Sequence, residues 1–153
     1  MKLLYRSLCF VSVLMLMFVA TAQAQEIIVE DAWIRGVPHS AKTTAAFMSI
    51  ENTGPEEKVL KSVTADVAEM LQIHTMEQVG EVMKMKKINE LRIPANGKTV
   101  LAPKGYHIML IGLLRPIDEG DTIPLSLSFA DGTTVGVNVI VRKWGKMAPM
   151  SQH

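Results

Sequence analysis

The sequence predicts an all-β domain, a sandwich or barrel of short strands, and three observations carry that reading. Apolar and polar residues alternate in short runs along most of the chain. Gly, Pro, Asn and Asp cluster between those runs. No long stretch keeps the helical period, so an architecture of helix layers has no support.

The runs follow in order. Ile27 to Arg35 alternates and stops at Gly36-Val37-Pro38. Thr44 to Glu51 is closed by Asn52-Thr53-Gly54-Pro55. Val59 to Ala65 precedes Leu71 to Met76, and the residues between, Ala65 to Met70, read as one helical turn. Val82 to Ile88 follows a turn opened by Gly80, and Leu91 to Pro94 runs into the turn Ala95-Asn96-Gly97. Thr99 to Ala102, His107 to Leu113, Thr122 to Phe129 and Thr133 to Val141 complete the set, with the hairpin residues Asp131-Gly132 between the last two. Trp33 and Trp144 read as core or rim aromatics of the first and last strands.

Residues 1–24 read as an address rather than as structure. Lys2 and Arg6 form a positive start, Leu8 to Ala20 is apolar apart from Ser12, and Ala22-Gln23-Ala24 is a small-x-small cleavage site. The apolar run is shorter than the about 20 residues a membrane span needs. Cleavage after Ala24 leaves residues 25–145 as one domain and 146–153 as a tail. No second apolar stretch is long enough to insert in a membrane. Cys9, the only cysteine, lies inside the leader and lacks a lipoprotein-type cleavage box before it. The exported chain then holds no thiol, which suits an oxidising compartment and excludes disulfides, thiolate zinc sites and cysteine nucleophiles.

Of the 16 basic side chains, 14 remain after the leader, against 15 acidic ones. That balance offers no electrostatic basis for binding nucleic acid or anionic lipid. Catalysis is not indicated either. There is no Gly-x-Ser-x-Gly elbow, the acidic residues form no evident pair, and His39-Ser40 sits in a Gly/Pro-flanked loop. We expect no enzyme.

The chemistry concentrates in histidine and methionine. Eight methionines follow the leader: Met48, Met70, Met76, Met83, Met85, Met109, Met147 and Met150. A single methionine is flexible core filler. Here Met76 stands two residues after His74, and Met109 two after His107. In a strand such pairs share a face, and each offers an imidazole beside a thioether. Leu71 and Ile73 oppose the His74 face, as Ile108 and Leu110 oppose the His107 face, so both pairs point away from the core. Met83 and Met85 flank Lys84 in a segment with no clean apolar face, and their side stays open. Each pair alone reads more readily as a half-buried histidine packed on sulfur. Two pairs and an intervening Met-x-Met in a chain without thiols point to a soft metal. Thioether sulfur favours Cu(I) over Mg²⁺, Ca²⁺ or Zn²⁺. Such a neutral donor set leaves the ion's charge uncompensated, which favours a site near solvent. A blue-copper electron-transfer site is excluded, because it needs a cysteine thiolate.

At these residues the sequence resembles the periplasmic copper chaperone (PCuAC) family. That family's pattern is His, ten residues, Met, twenty-one residues, His-x-Met, and His74, Met85 and His107-Ile108-Met109 match it without a gap. Ala32-Trp33-Ile34-Arg35, Ala45 to Asn52, Gly105 to Leu110 and Pro124 to Phe129 are also similar to the family. The resemblance implies a cupredoxin-like Greek-key β-barrel or sandwich, and Cu(I) held by His74, Met85, His107 and Met109. It implies a monomer in the periplasm that delivers copper toward the CuA centre of cytochrome c oxidase, with the CuA subunit or a Sco-type thiol chaperone as partner. A copper-buffering or resistance protein would use the same ligands, so storage stands beside delivery.

Met76 and Met83 are not assigned by the pattern and read as auxiliary ligands or as packing. Met147, Met150 and His153 make the tail a short version of the Met/His-rich extension of some family members. It either takes a second copper, as Cu(II), or is an end with incidental ligand types. Mass spectrometry of the exported protein should find Gln25 as its first residue; an intact Met1 would overturn the leader assignment.

Overall fold

A computed structural model describes residues 26–143. Trp144 and the tail residues Met147, Met150 and His153 lie outside them, as do the residues expected to form the leader and its cleavage site.

All ten alternating runs fold as strands: Ile27–Arg35 (β1), Thr43–Asn52 (β2), Lys58–Thr64 (β3), Ala68–Val79 (β4), Val82–Lys87 (β5), Leu91–Ile93 (β6), Gly97–Leu101 (β7), His107–Leu113 (β8), Thr122–Phe129 (β9) and Thr134–Arg142 (β10). They hydrogen-bond in the order β5-β4-β8-β2-β1-β10-β9-β3-β6, and β7 pairs with the second half of β2. Neighbours are antiparallel except β1 and β10, which run parallel over Trp33–Arg35 and Ile140–Arg142. The ribbon encloses one core that includes Ile34, Ile50, Leu60, Ile93, Ile108, Leu110, Leu127 and Val139, all essentially inaccessible. The fold is all-β, in agreement with the alternation of the sequence.

Two local departures from the sequence reading shape the sheet. Ala65 to Met70 forms no helical turn. Asp66 and Val67 make a tight turn, and β4 already starts at Ala68, because Ala68 and Met70 pair with Leu113 and Ile111 of β8. Cross-strand pairing overrides the weak local preference of so short a segment.

The second departure is a bulge in β1. Glu30 faces Ser49 and Trp33 faces Phe47, so Asp31 and Ala32 together oppose Met48. Asp31 takes a positive φ of 49° to do this. One extra residue reverses the face of everything after it. Ile27 and Val29 point to the core before the bulge, Ile34 does so after it, and Trp33 is turned outward onto Phe47 with ring centroids 4.6 Å apart. Trp33 thus packs on the outer side of the sheet.

Strand β5 is the outermost strand beyond β4, and all six of its residues are exposed. It contributes nothing to the core and is held by its ladder to β4. The two-residue loop Gly80-Glu81 connects the two, with Val79 opposite Val82. Gly80 takes φ +64° at the first central position, the backbone state that lets a tight hairpin follow the twist of its strands.

Asn52 ends β2 and is fully buried. Its Nδ2 donates to the carbonyls of Glu56 (2.7 Å) and Pro94 (3.2 Å), and its Oδ1 accepts from the Gly54 backbone N–H (3.0 Å). The turn residues Asn52 to Pro55 are therefore tied to the end of β6 by one side chain. Asn52→Ala strands three backbone groups and should destabilise the copper-free protein by about 3 kcal/mol in chemical denaturation; an unchanged midpoint would show that water replaces the amide.

Candidate metal centre

The outer face of β5, β4 and β8 gathers the sulfur and imidazole side chains that the sequence singled out. Residues directly opposite in an antiparallel pair share a face. On that rule the register places His74 beside His107, Met76 beside Met85, Gln78 beside Met83 and Gln72 beside Met109. The inward positions between them are Ile73 and Ile108, themselves opposite each other and buried. Met83 and Met85, whose side the sequence left open, therefore stand on the His74 face.

The arrangement has a centre and two flanks. His74 and His107 form the central pair, with ring centroids 5.8 Å apart and planes inclined at 56°. Met85 lies one same-face step toward the hairpin tip, and Met109 one step the other way. The two thioethers thus approach the histidine pair from opposite sides, each from a diagonal neighbour of His74, roughly 7 Å away at the backbone. Met76 is the half-buried same-face neighbour of His74 on its own strand. Met83 is farther out, beside the turn.

Burial grades across the site. His107 is 5% exposed, His74 and Met109 are half-buried, and Met85 is 51% exposed. Behind His107 stands Phe47 of β2, its ring centroid 6.4 Å from the imidazole, and behind Phe47 stands Trp33. A row of rings from β1 to β4 walls one side of the site, completed by the β1 bulge. On the other side Lys87 of β5 is the direct cross-strand neighbour of His74.

Hydrogen bonds define the state of both rings. The Nδ1 of His107 lies 3.0 Å from the Gly105 carbonyl. A carbonyl only accepts, so Nδ1 carries the proton and Nε2 keeps its lone pair. The Nε2 of His74 lies 3.0 Å from Oε1 of Gln72, which again only accepts, so Nδ1 of His74 is the bare nitrogen. These two nitrogens, His74 Nδ1 and His107 Nε2, are buried side-chain atoms with no hydrogen-bond partner. An unpartnered buried lone pair costs free energy, and a pair of them on adjacent strands beside thioethers suits a cation that accepts electron density. Among the described residues no three His, Cys, Asp or Glu side chains come together. The side chains that the register sets beside the imidazoles on this face include methionine thioethers, a donor type that favours a soft ion.

Sequence reasoning missed Gln72 as a hydrogen-bonding partner. The visible trace is the same-face series Met70, Gln72, His74, Met76 along β4. The remaining histidine of the described chain, His39, sits on the loop after β1 and meets Asp118 at 2.8 Å, both largely exposed.

The His74 imidazole is held below its ordinary value of 6.5, chiefly because burial penalises the cation and further because His107 and Lys87 are close. The unfolded chain therefore takes up this proton at higher pH than the native one. Stability is complete above the unfolded value and is lost as pH falls through about 6.5 and below. Denaturation of the copper-free protein across that range should show this decline, and His74→Gln should make it shallower. An identical profile in the variant would remove His74 from the account of acid sensitivity.

Comparison with known proteins places the chain. A family model described as "Putative lipoprotein LpqE-like" matches residues 27–141. "Putative lipoprotein Lxx21020" of Leifsonia xyli subsp. xyli is 36% identical over 121 residues, 78% of this chain and 72% of that protein. The solution structure of CuI-DR1885 from Deinococcus radiodurans matches with a TM-score of 0.65 at 33% identity, over 80% of this chain and 83% of that one. The copper-bound PCuAC domain from PmoF2 matches with a TM-score of 0.67 over 77% of this chain and 93% of that one, and at 18% identity it shows a shared fold alone. The chain belongs to the LpqE-like family, on the fold shared by PCuAC domains.

Proposed function

We propose that this protein is an exported Cu(I) carrier, with His74, Met85, His107 and Met109 as ligands. The observation that carries the reading is the pair of buried, unpartnered ring nitrogens on adjacent strands, flanked by thioethers on the same face. The relative DR1885, a third identical in sequence, was solved as a Cu(I) form, which supports copper as the cargo here. The name of the Leifsonia relative describes a lipoprotein, which supports an envelope location. We place the protein in the periplasm as a monomer.

Carriage follows from the grading of the site. The imidazoles sit in the wall of the sheet and supply a pre-oriented end. The sulfur of Met85 sits on an exposed outer strand and supplies a replaceable end. An acceptor ligand can bond to Cu(I) as the Met85 thioether leaves, because a d¹⁰ ion has no strong geometric preference and tolerates three donors in passing. The ion is never released to water. Met76 and Met83 extend the thioether surface from the histidines toward the turn, and we assign them auxiliary roles in hand-over. The acceptor in this reading is the CuA subunit of cytochrome c oxidase or a Sco-type thiol chaperone.

Met85→Ala should weaken Cu(I) about tenfold or more, equal to ~1.4 kcal/mol, in competition with a chromophoric Cu(I) chelator. Its circular dichroism should not change, since Met85 touches no core. Unaltered affinity would remove Met85 from the ligand set. Mixing the loaded protein with a purified CuA domain, and separately with a Sco-type chaperone, should move copper to one of them; retention against both would make this a copper buffer.

A further inference from the structure

Gln72 hydrogen-bonds to one ring of the histidine pair, and its two ends are used differently. Its Nε2 is turned toward the Sδ of Met70, and its Oε1 faces Nε2 of His74 at 3.0 Å. Sulfur has no proton to give, so only the N–H end of the amide can bond to Met70. The reverse orientation would set oxygen against sulfur and forfeit that bond. The carbonyl end is thereby committed to His74, and a carbonyl cannot donate.

We propose that Gln72 is a positioning residue: it fixes His74 in the tautomer protonated at Nε2 and so presents Nδ1 to the metal. A neutral imidazole holds one ring proton. With that proton bound to Gln72, the lone pair resides on Nδ1, the buried atom with no other partner. Two polar neighbours do not do this in its place. Lys87, opposite His74 on β5, has only N–H groups, and His107 has committed its own N–H to Gly105. Met70 is half exposed and, although it shares the face, directs its sulfur at Gln72, so it anchors the amide instead of binding copper.

The consequence is an asymmetric pair in which His74 offers Nδ1 and His107 offers Nε2. An outer hydrogen bond that selects a ligand tautomer is worth about 10–100-fold in metal affinity. The assignment of Nδ1 as the metal donor rests on the proposed copper function, whereas the tautomer is a property of the copper-free protein.

Long-range ¹H–¹⁵N correlation spectra of the copper-free mature protein, recorded well above the histidine titration range, read the tautomers directly. The expected result is an Nε2–H form for His74 and an Nδ1–H form for His107. Gln72→Leu keeps the volume and removes the acceptor. It should turn His74 into a tautomer mixture and lower Cu(I) affinity about tenfold. Gln72→Glu retains an acceptor oxygen and should restore the Nε2–H form and most of the affinity. A purely structural role would lower the melting temperature and leave the tautomer alone. An Nδ1–H form for His74 in the wild type, or an unshifted tautomer in Gln72→Leu, overturns the proposal. A shifted tautomer with unchanged Cu(I) affinity overturns Nδ1 as the donor. Wild-type protein with the expected tautomers and no affinity for Cu(I) refutes the copper function itself.

Discussion

The register between β4 and β8 is the constraint on which the site depends. It pairs His74 with His107 on one face and Ile73 with Ile108 on the other. A slip of one residue would set an imidazole of one strand opposite an isoleucine of the other, burying one histidine in the apolar core or exposing one isoleucine, so core packing and site geometry are selected together. Apolar burial supplies the driving force: Ile73, Ile108 and Leu110 are almost wholly removed from water. The histidines occupy the positions that this burial leaves outward. The supporting features act on the same pair. The Gly105 carbonyl orients His107, Gln72 orients His74, and Phe47 with Trp33 closes the flank.

Neutral donors make the depth of the site a compromise. Two imidazoles and two thioethers do not cancel the charge of a bound monovalent ion, and burying that charge without compensation is costly. A fully exposed set would lose the ion to competing ligands. The observed gradient, from buried His107 to exposed Met85, gives one end fixed geometry and the other access to water and partners. The outermost position of β5 serves the same end. With no residue in the core, β5 could, on the proposed function, give up a ligand without disturbing the packing of the domain.

Much of this was legible in the alternation of the sequence. The period-two pattern located ten strands, and the apolar Leu71/Ile73 and Ile108/Leu110 positions assigned the histidine faces. What was not legible has physical reasons. Met83 and Met85 lie on a strand without a buried face, so no hydrophobic pattern marks their side; only pairing with β4 does. Trp33 follows the bulge at Asp31, and a single inserted residue inverts the parity that the reading relies on. Ala65 to Met70 is too short for its local preference to resist pairing with β8. The role of Gln72 arises from which end of an amide meets which neighbour, and residue spacing carries no trace of that. Met85 as a ligand came from resemblance to a family pattern, and the register then placed it on the shared face.

The central claim is that two nitrogens and two sulfurs of this face converge on one monovalent copper ion. Copper K-edge X-ray absorption of the protein loaded with one equivalent of Cu(I) tests it most directly. The account predicts a Cu(I) edge with nitrogen and sulfur scatterers in near-equal number, and loss of one sulfur in a variant lacking the Met109 thioether. A shell of nitrogen and oxygen alone would contradict it, as would a sulfur contribution untouched by removing Met109.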